Sequence, residues 1–122
     1  MITASLKNFR MTPRKVRLVA DLIRGKKVRV AETILNSTTK KATNPIGSLL
    51  SSAMANAKNN HGVDVDSLVV KEIRVDQGYV LKRHRPVSRG SAHPLKKRTS
   101  HISIILDSAS KPEKKVSKTT KK

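Results

Sequence analysis

The chain has 122 residues, enough for one domain with a single modest core. Its 27 lysines and arginines face only 8 acidic residues, a formal net charge of +19, so its surroundings are expected to neutralise it. The lack of cysteine excludes disulfides and thiolate metal sites, and no apolar run approaches the length of a membrane span.

The N-terminus lacks the basic, apolar, small-residue order of a secretory signal, and a cysteine-free chain is compatible with a reducing cytoplasm. Ile2–Phe9 alternates Ile2, Ala4 and Leu6 with Thr3, Ser5 and Lys7, the period of a half-buried strand. Thr12-Pro13 then opens a helix, threonine as its cap and proline at its first position. Val16, Val19, Ala20 and Ile23 form its apolar face, widened by Leu18 and Leu22. Arg14, Arg17 and Arg24 share another face with Asp21, and Gly25 stops the helix. A solvated face is the plain reading of those arginines; contact with phosphate is the functional one.

Lys26-Lys27 leads into a short second helix, Val28–Leu35, with Val30, Ala31, Ile34 and Leu35 toward the core. Two helices joined through a glycine invite a helix-turn-helix reading. The residues left outward, Arg29, Glu32 and Thr33, are a poor set for base edges, and a DNA-binding role is the weaker alternative. The third helix carries the stripe Ile46, Leu49, Leu50, Ala53, Met54 and Ala57. It starts either at Asn44-Pro45 or nearer Lys40, and ends at Asn59–Gly62. Its small residues Ser48, Ser51, Ser52, Ala53, Ala55 and Ala57 suit close packing against a neighbour.

After a turn containing Asp64 and Asp66, two strands are expected. Leu68–Asp76 has Val69, Ile73 and Val75 on one side; Thr99–Leu106 sets Ile102, Ile104 and Leu106 opposite Thr99, His101 and Ser103. Between them, Gln77–His101 carries Lys82, Arg83, Arg85, Arg89, Lys96, Lys97 and Arg98 and no acidic residue. Strand, basic excursion, strand is the pattern of a long hairpin pushed out of the domain. Its apolar residues (Tyr79, Val80, Leu81, Val87, Leu95) are too few for a core, so it needs a partner supplying negative charge and a surface. Nucleic acid fits best. Gly78 and Gly90, with Pro86 and Pro94, punctuate the hairpin as turn residues, and Gly90 marks its tip. With only Phe9 and Tyr79 aromatic, phosphate contact is expected over stacking on aromatic platforms. Beyond Leu106 the composition turns to lysine, serine and aspartate, so residues 107–122 read as a disordered basic tail on a single domain spanning 1–106.

An enzyme needs a constellation of groups, and none is present. His61, His84, His93 and His101 form no helical i, i+4 pair, the turn aspartates suit backbone roles, and there is no phosphate loop. No metal, cofactor, small-molecule substrate or membrane surface is called for. A polybasic tail without an acyl site or amphipathic aromatic helix is a poor membrane anchor.

Three segments together resemble one family. Lys82–Leu106 (KRHRPVSRGSAHPLKKRTSHISIIL) is similar to the signature of the bacterial-type large-subunit ribosomal protein L-twenty-two family. Thr12–Val28 (TPRKVRLVADLIRGKKV) and Ser51–Gly62 (SSAMANAKNNHG) resemble the same family, in order and without an obvious gap. Val87 and Ser91 stand where that family often has a basic residue. The resemblance implies an α+β fold: three helices on a small three-stranded antiparallel sheet, with a long extended β-hairpin. It also implies a structural, non-catalytic protein that binds large-subunit ribosomal RNA beside neighbouring ribosomal proteins, on cytoplasmic or organelle ribosomes. The residues expected to meet RNA are Arg14, Lys15, Arg17, Lys26, Lys27, Lys82, Arg83, Arg85, Arg89, Lys96, Lys97 and Arg98. Lys82, Arg83, His84, Arg85, Pro86, Arg89 and Gly90 would extend into the wall of the nascent-peptide exit tunnel, with the nascent peptide near the tip.

Overall fold

The computed structural model describes residues 1–109; of the tail expected over 107–122, Asp107 and Ser108 instead complete the last strand, paired with Val69 and Leu68, and the rest lies outside the described residues from 110 onward. The elements run β1 (Ile2–Phe9), α1 (Pro13–Ile23), α2 (Val28–Ser37), α3 (Thr43–His61), β2 (Leu68–Pro86) and β3 (Ala92–Ser108). The strands form one antiparallel sheet in the order β1-β3-β2. This is the expected α+β architecture. One apolar cluster joins Val16, Ala20 and Ile23 of α1, Val28 and Leu35 of α2, Ile46, Leu50 and Ala53 of α3, and Ile73, Ile102 and Ile104 of the sheet.

The helices begin and end for local reasons. Thr12 takes the extended cap conformation before Pro13, though its side chain makes no capping bond; its carbonyl accepts from Lys15 and Val16 instead. α3 starts at Thr43, between the two expected positions, with Pro45 in the first turn where an N–H has no helical partner anyway. Gly62 ends it in the left-handed conformation, φ 60°. α2 runs two residues past the expected Leu35.

Several side chains face otherwise than their spacing predicts. Leu18 and Leu22 do not widen the buried face of α1: they are 63% and 46% exposed, because Val16, Val19, Ala20 and Ile23 already fill its seat. On α2 the buried stripe is Val28, Ala31 and Leu35, spaced three and four apart, and Val30 faces outward. Of the small residues of α3, only Ala53 and Ala57 pack inward; Ser48, Ser51, Ser52 and Ala55 are exposed.

The sheet departs from simple alternation in an instructive way. β2 buries Leu68 and Val70, then Ile73 and Val75, so Val69 is not on the core face with Ile73. The cause is a β-bulge: Val70 pairs with Leu106 but Glu72 with Ile105, which inserts Lys71 and shifts the phase by one. A second β2 bulge lies between Gln77 and Val80, and β1 bulges between Leu6 and Phe9, with Asn8 at φ 58°. The last two face each other across Ser100 on the middle strand, which pairs with both Phe9 and Gln77.

At this level three consecutive β3 side chains satisfy the backbone that the bulges disturb. Thr99 Oγ1 donates to the Tyr79 carbonyl (2.7 Å), Ser100 Oγ to the Met11 carbonyl (2.5 Å), and His101 Nδ1 accepts from the Asn8 N–H (3.1 Å). Thr99, expected on the outer face, is therefore buried. Gly78 is not a turn residue but lies within β2. A Cβ there would collide with Thr99 Oγ1 and lie 3.1 Å from the His101 ring, so the position needs glycine for room rather than for φ. Gly78→Ala is expected to destabilise the fold by about 1–3 kcal/mol, the usual cost of overpacking. Urea denaturation measures it, and a Gly25→Ala variant, where open space surrounds the position, separates overpacking from a loss of positive φ.

Beyond these bulges β2 and β3 continue as a two-stranded arm to an apex at Val87–Ser91, where Arg89 and Gly90 both have positive φ. Gly90 does mark the tip. Nine residues from Gly78 to Pro86 give the arm a reach of about 30 Å. Lys82 lies opposite Lys96, Leu81 opposite Lys97 and Val80 opposite Arg98, so like charges oppose each other and little apolar surface is covered. An isolated two-stranded ribbon of this kind is marginal in water. In the free protein, amides of Arg83–Leu95 are expected to exchange orders of magnitude faster than those of Leu49–Ala57. Hydrogen-exchange mass spectrometry at low salt reads this directly, and equal protection would contradict it.

Candidate nucleic-acid interface

The cationic residues singled out from sequence separate into three places. Lys82, Arg83, Arg85 and Arg89 lie along the exposed arm and its apex, with His84 opposite Pro94 and Pro86 opposite Ala92. Lys26 and Lys27 lie at the other end of the sheet. Their backbone clips the edge of β2: Gly25 N–H donates to the Val70 carbonyl and Val70 N–H to the Lys26 carbonyl, both at 2.9 Å. They are not brought near the hairpin.

The third group is gathered. Where the arm leaves the body, two adjoining concavities run between β3, the segment after β1, and the start of α1. One, of about 500 Å³, is lined by Thr12, Pro13, Arg14, Lys15, Arg17, Leu18, Gln77 and Arg98. Its neighbour, of about 570 Å³, is lined by Arg10, Met11, Thr12, Lys15, Lys41, Lys96, Lys97 and Arg98. Neither has a carboxylate in its wall; Asp76, next to Gln77, lines neither. Arg10, a lone cation, and Lys41, one of the pair Lys40-Lys41, stand in connecting segments far from the hairpin in sequence, and only folding brings them to Lys96–Arg98.

Four of the carboxylates are engaged elsewhere. The ion pairs among the described residues are Arg24–Asp21 (2.5 Å), Arg29–Asp66 (2.8 Å), Lys71–Asp107 (2.8 Å) and Arg74–Glu72 (2.5 Å). A hydrogen bond from Lys71, reinforced by its charge, holds the Asp107 carboxyl below its ordinary range; Asp66 likewise raises Arg29. Such exposed pairs stabilise the fold little. Their importance is location: they use cations of the body and leave those of the concavities without an anionic partner among the described residues.

Arg17 has a second role. Its Nε and Nη2 both donate to the Val75 carbonyl, at 3.2 and 3.0 Å, while Arg24 Nη2 donates to the Ile73 carbonyl at 3.2 Å. α1 thus covers the free edge of β2 with two arginines, which protects a strand that would otherwise offer its carbonyls to other chains. No group of three or more His, Cys, Asp or Glu side chains comes together among the described residues, and none of their helices is long and apolar enough to cross a membrane.

These features define a small basic α+β protein built around a carboxylate-free cationic surface and a projecting arm rather than a catalytic centre. The chain belongs to the family described as Ribosomal protein L22p/L17e, whose model matches residues 4–107. This is a family of structural, non-enzymatic proteins of the large ribosomal subunit. The chain is 55% identical to the large ribosomal subunit protein uL22 of Mycoplasmopsis agalactiae over 85% of its own length and 91% of the relative's. It is 54% identical to the protein of the same name from Metamycoplasma arthritidis (89% of this chain, 52% of that one). Identity to the one from Desulfitobacterium hafniense is 53% (80% and 85%).

If the concavities bind phosphates, the triple change Arg10→Ala, Lys41→Ala, Arg98→Ala is expected to lower the slope of log affinity against log salt for large-subunit RNA by about 2–3, at roughly 0.7–0.9 per lost phosphate contact. Filter binding across a salt series measures it. Arg17→Ala is expected instead to lower unfolding stability, by about 1–2 kcal/mol, because the Val75 carbonyl loses a charged donor.

Proposed function

We propose that the protein binds large-subunit ribosomal RNA by neutralising phosphates from several RNA segments and, with its body so anchored, extends the hairpin along the wall of the nascent-peptide exit tunnel. The observation that carries this reading is the joining of the first turn of α1, the segment after β1 and the base of the hairpin into one cationic surface without a carboxylate. Phosphate contacts of this kind set position and orientation and do not read sequence. In this reading Arg14, Lys15, Lys41, Lys96, Lys97 and Arg98 anchor the protein, while Lys82, Arg83, His84, Arg85, Pro86, Arg89 and Gly90 face the tunnel near the nascent peptide. Lys26 and Lys27, at the far end of the sheet, meet a separate RNA segment. Neighbouring ribosomal proteins complete the surroundings, and the protein works on the ribosome in the cytoplasm; the bacterial sources of the relatives support this. The DNA-binding alternative has little support, since Arg29, the outward cation of α2, is paired with Asp66.

The division of labour has a direct test. Replacing Arg83 and Arg85 by alanine is expected to leave incorporation into large subunits largely intact while changing nascent-chain stalling. Replacing Lys96, Lys97 and Arg98 by alanine is expected to weaken incorporation first. Quantitative mass spectrometry of purified large subunits, paired with a stalling reporter, reads both. Loss of the protein from subunits after the arm substitutions, but not after the base substitutions, would overturn the division.

A further inference from the structure

The two concavities at the hairpin base differ in chemistry although they share the walls Thr12, Lys15 and Arg98. The one lined by Arg10, Lys41, Lys96 and Lys97 is a channel of flexible cations suited to a phosphate backbone. The other has an apolar floor of Pro13 and Leu18. Leu18 is 63% exposed, and the core gives no reason for a leucine there. Around that floor stand Arg14, Arg17 and Arg98 and the exposed amide of Gln77, which makes no side-chain hydrogen bond to another described residue. Arg17 is held in place, with two of its nitrogens on the Val75 carbonyl.

We propose that this second concavity receives one unpaired nucleobase of the bound RNA, extruded from its strand while the flanking phosphates lie in the adjoining channel. The proposal rests on the RNA-binding reading above and adds base recognition to it. Its volume of about 500 Å³ is within the ~300–1,000 Å³ range of small-ligand clefts. A nucleobase matches each wall. Its face packs on Leu18 and Pro13, an arginine plane covers it from the other side, and Gln77, with both donor and acceptor, meets its edge. Its own phosphate answers Lys15 and Arg98. An apolar side chain from a neighbouring protein would fill the floor but leave these cations without counter-charge. Bases splayed from single-stranded RNA are commonly held on guanidinium planes where aromatic platforms are lacking, and this chain has one tyrosine and one phenylalanine.

The test is ultraviolet crosslinking of intact large subunits from the source cell, followed by mass spectrometry of peptide–nucleotide adducts. Such crosslinks form at base contacts, not at phosphate contacts. The expected result is a mononucleotide adduct on Pro13–Leu18 or on Gln77. In parallel, Leu18→Ser and Gln77→Ala are assayed on in vitro transcribed large-subunit RNA, with thermal melts confirming that both exposed-site variants fold. Each is expected to weaken binding roughly 5- to 100-fold, the range for loss of one stacked base, with the salt slope unchanged. Adducts on the arm but none on these residues, with wild-type binding by both variants, would overturn the base pocket. A protein–protein crosslink at Leu18 would overturn it in favour of a protein neighbour. If Lys97→Ala with Arg98→Ala also leaves RNA binding untouched, the RNA-binding reading itself fails, so the two failures are distinguishable.

Discussion

The direction of the hairpin depends on a few hydrogen bonds at one level of the sheet. β3 is a single strand shared by two structures: its later half, Ile102 to Leu106, is the middle of the core, and its earlier half, Ala92 to Arg98, is one side of the exposed arm. A continuous strand would transmit any twist of one half to the other. Bulges in both neighbours, opposite Thr99–His101, interrupt the ladder where the arm begins, and three side chains close the gaps. Such bonds contribute about 1 kcal/mol each when made, and a buried polar group left unpaired costs about 1–3 kcal/mol. The asymmetry favours one geometry at the waist, so the arm leaves the body in a defined direction although nothing along its length holds it.

Charge is distributed on the same plan. The body carries the carboxylates and uses four cations on them; the arm, the two concavities at its base and the first turn of α1 carry cations alone. Repulsion across Lys82 and Lys96 therefore falls on the element with least packing, while the core is spared it. A polyanion lying against the arm would relieve that repulsion, and the body folds by burial of apolar surface regardless.

Much of this was visible in the order of residues. Periodicity located all three helices and the strands, because Val16, Val19, Ala20 and Ile23, or Ile102, Ile104 and Leu106, obey one period throughout. The failures lie where a local event changes the period. Lys71 shifts the phase of β2 and moves Val69 off the core face, and no residue near it announces a bulge. Hydrophobicity alone does not say which apolar residues a neighbouring element has room for, and Leu18 and Leu22 stay outside the buried face of α1. Arg10 and Lys41 join the cationic surface through tertiary proximity, to which a reading of runs and periods is blind. Arg17 shows a further limit: composition marks it as a phosphate ligand, and only the position of the Val75 carbonyl reveals its structural duty.

The uninterrupted pairing of the arm, from Val80 opposite Arg98 to Pro86 opposite Ala92, limits how such a protein can change length over evolution. Side chains alternate faces with a period of two, so one residue inserted into one side would reverse the facing of that side from there to the apex. The waist tolerates single insertions because Thr99–His101 mend the ladder there; the arm has no comparable device. Lengthening is therefore tolerated within the apex, or as matched pairs on the two sides. Two residues added to each side keep the facing and move the tip by about 7 Å without disturbing the seat of the body.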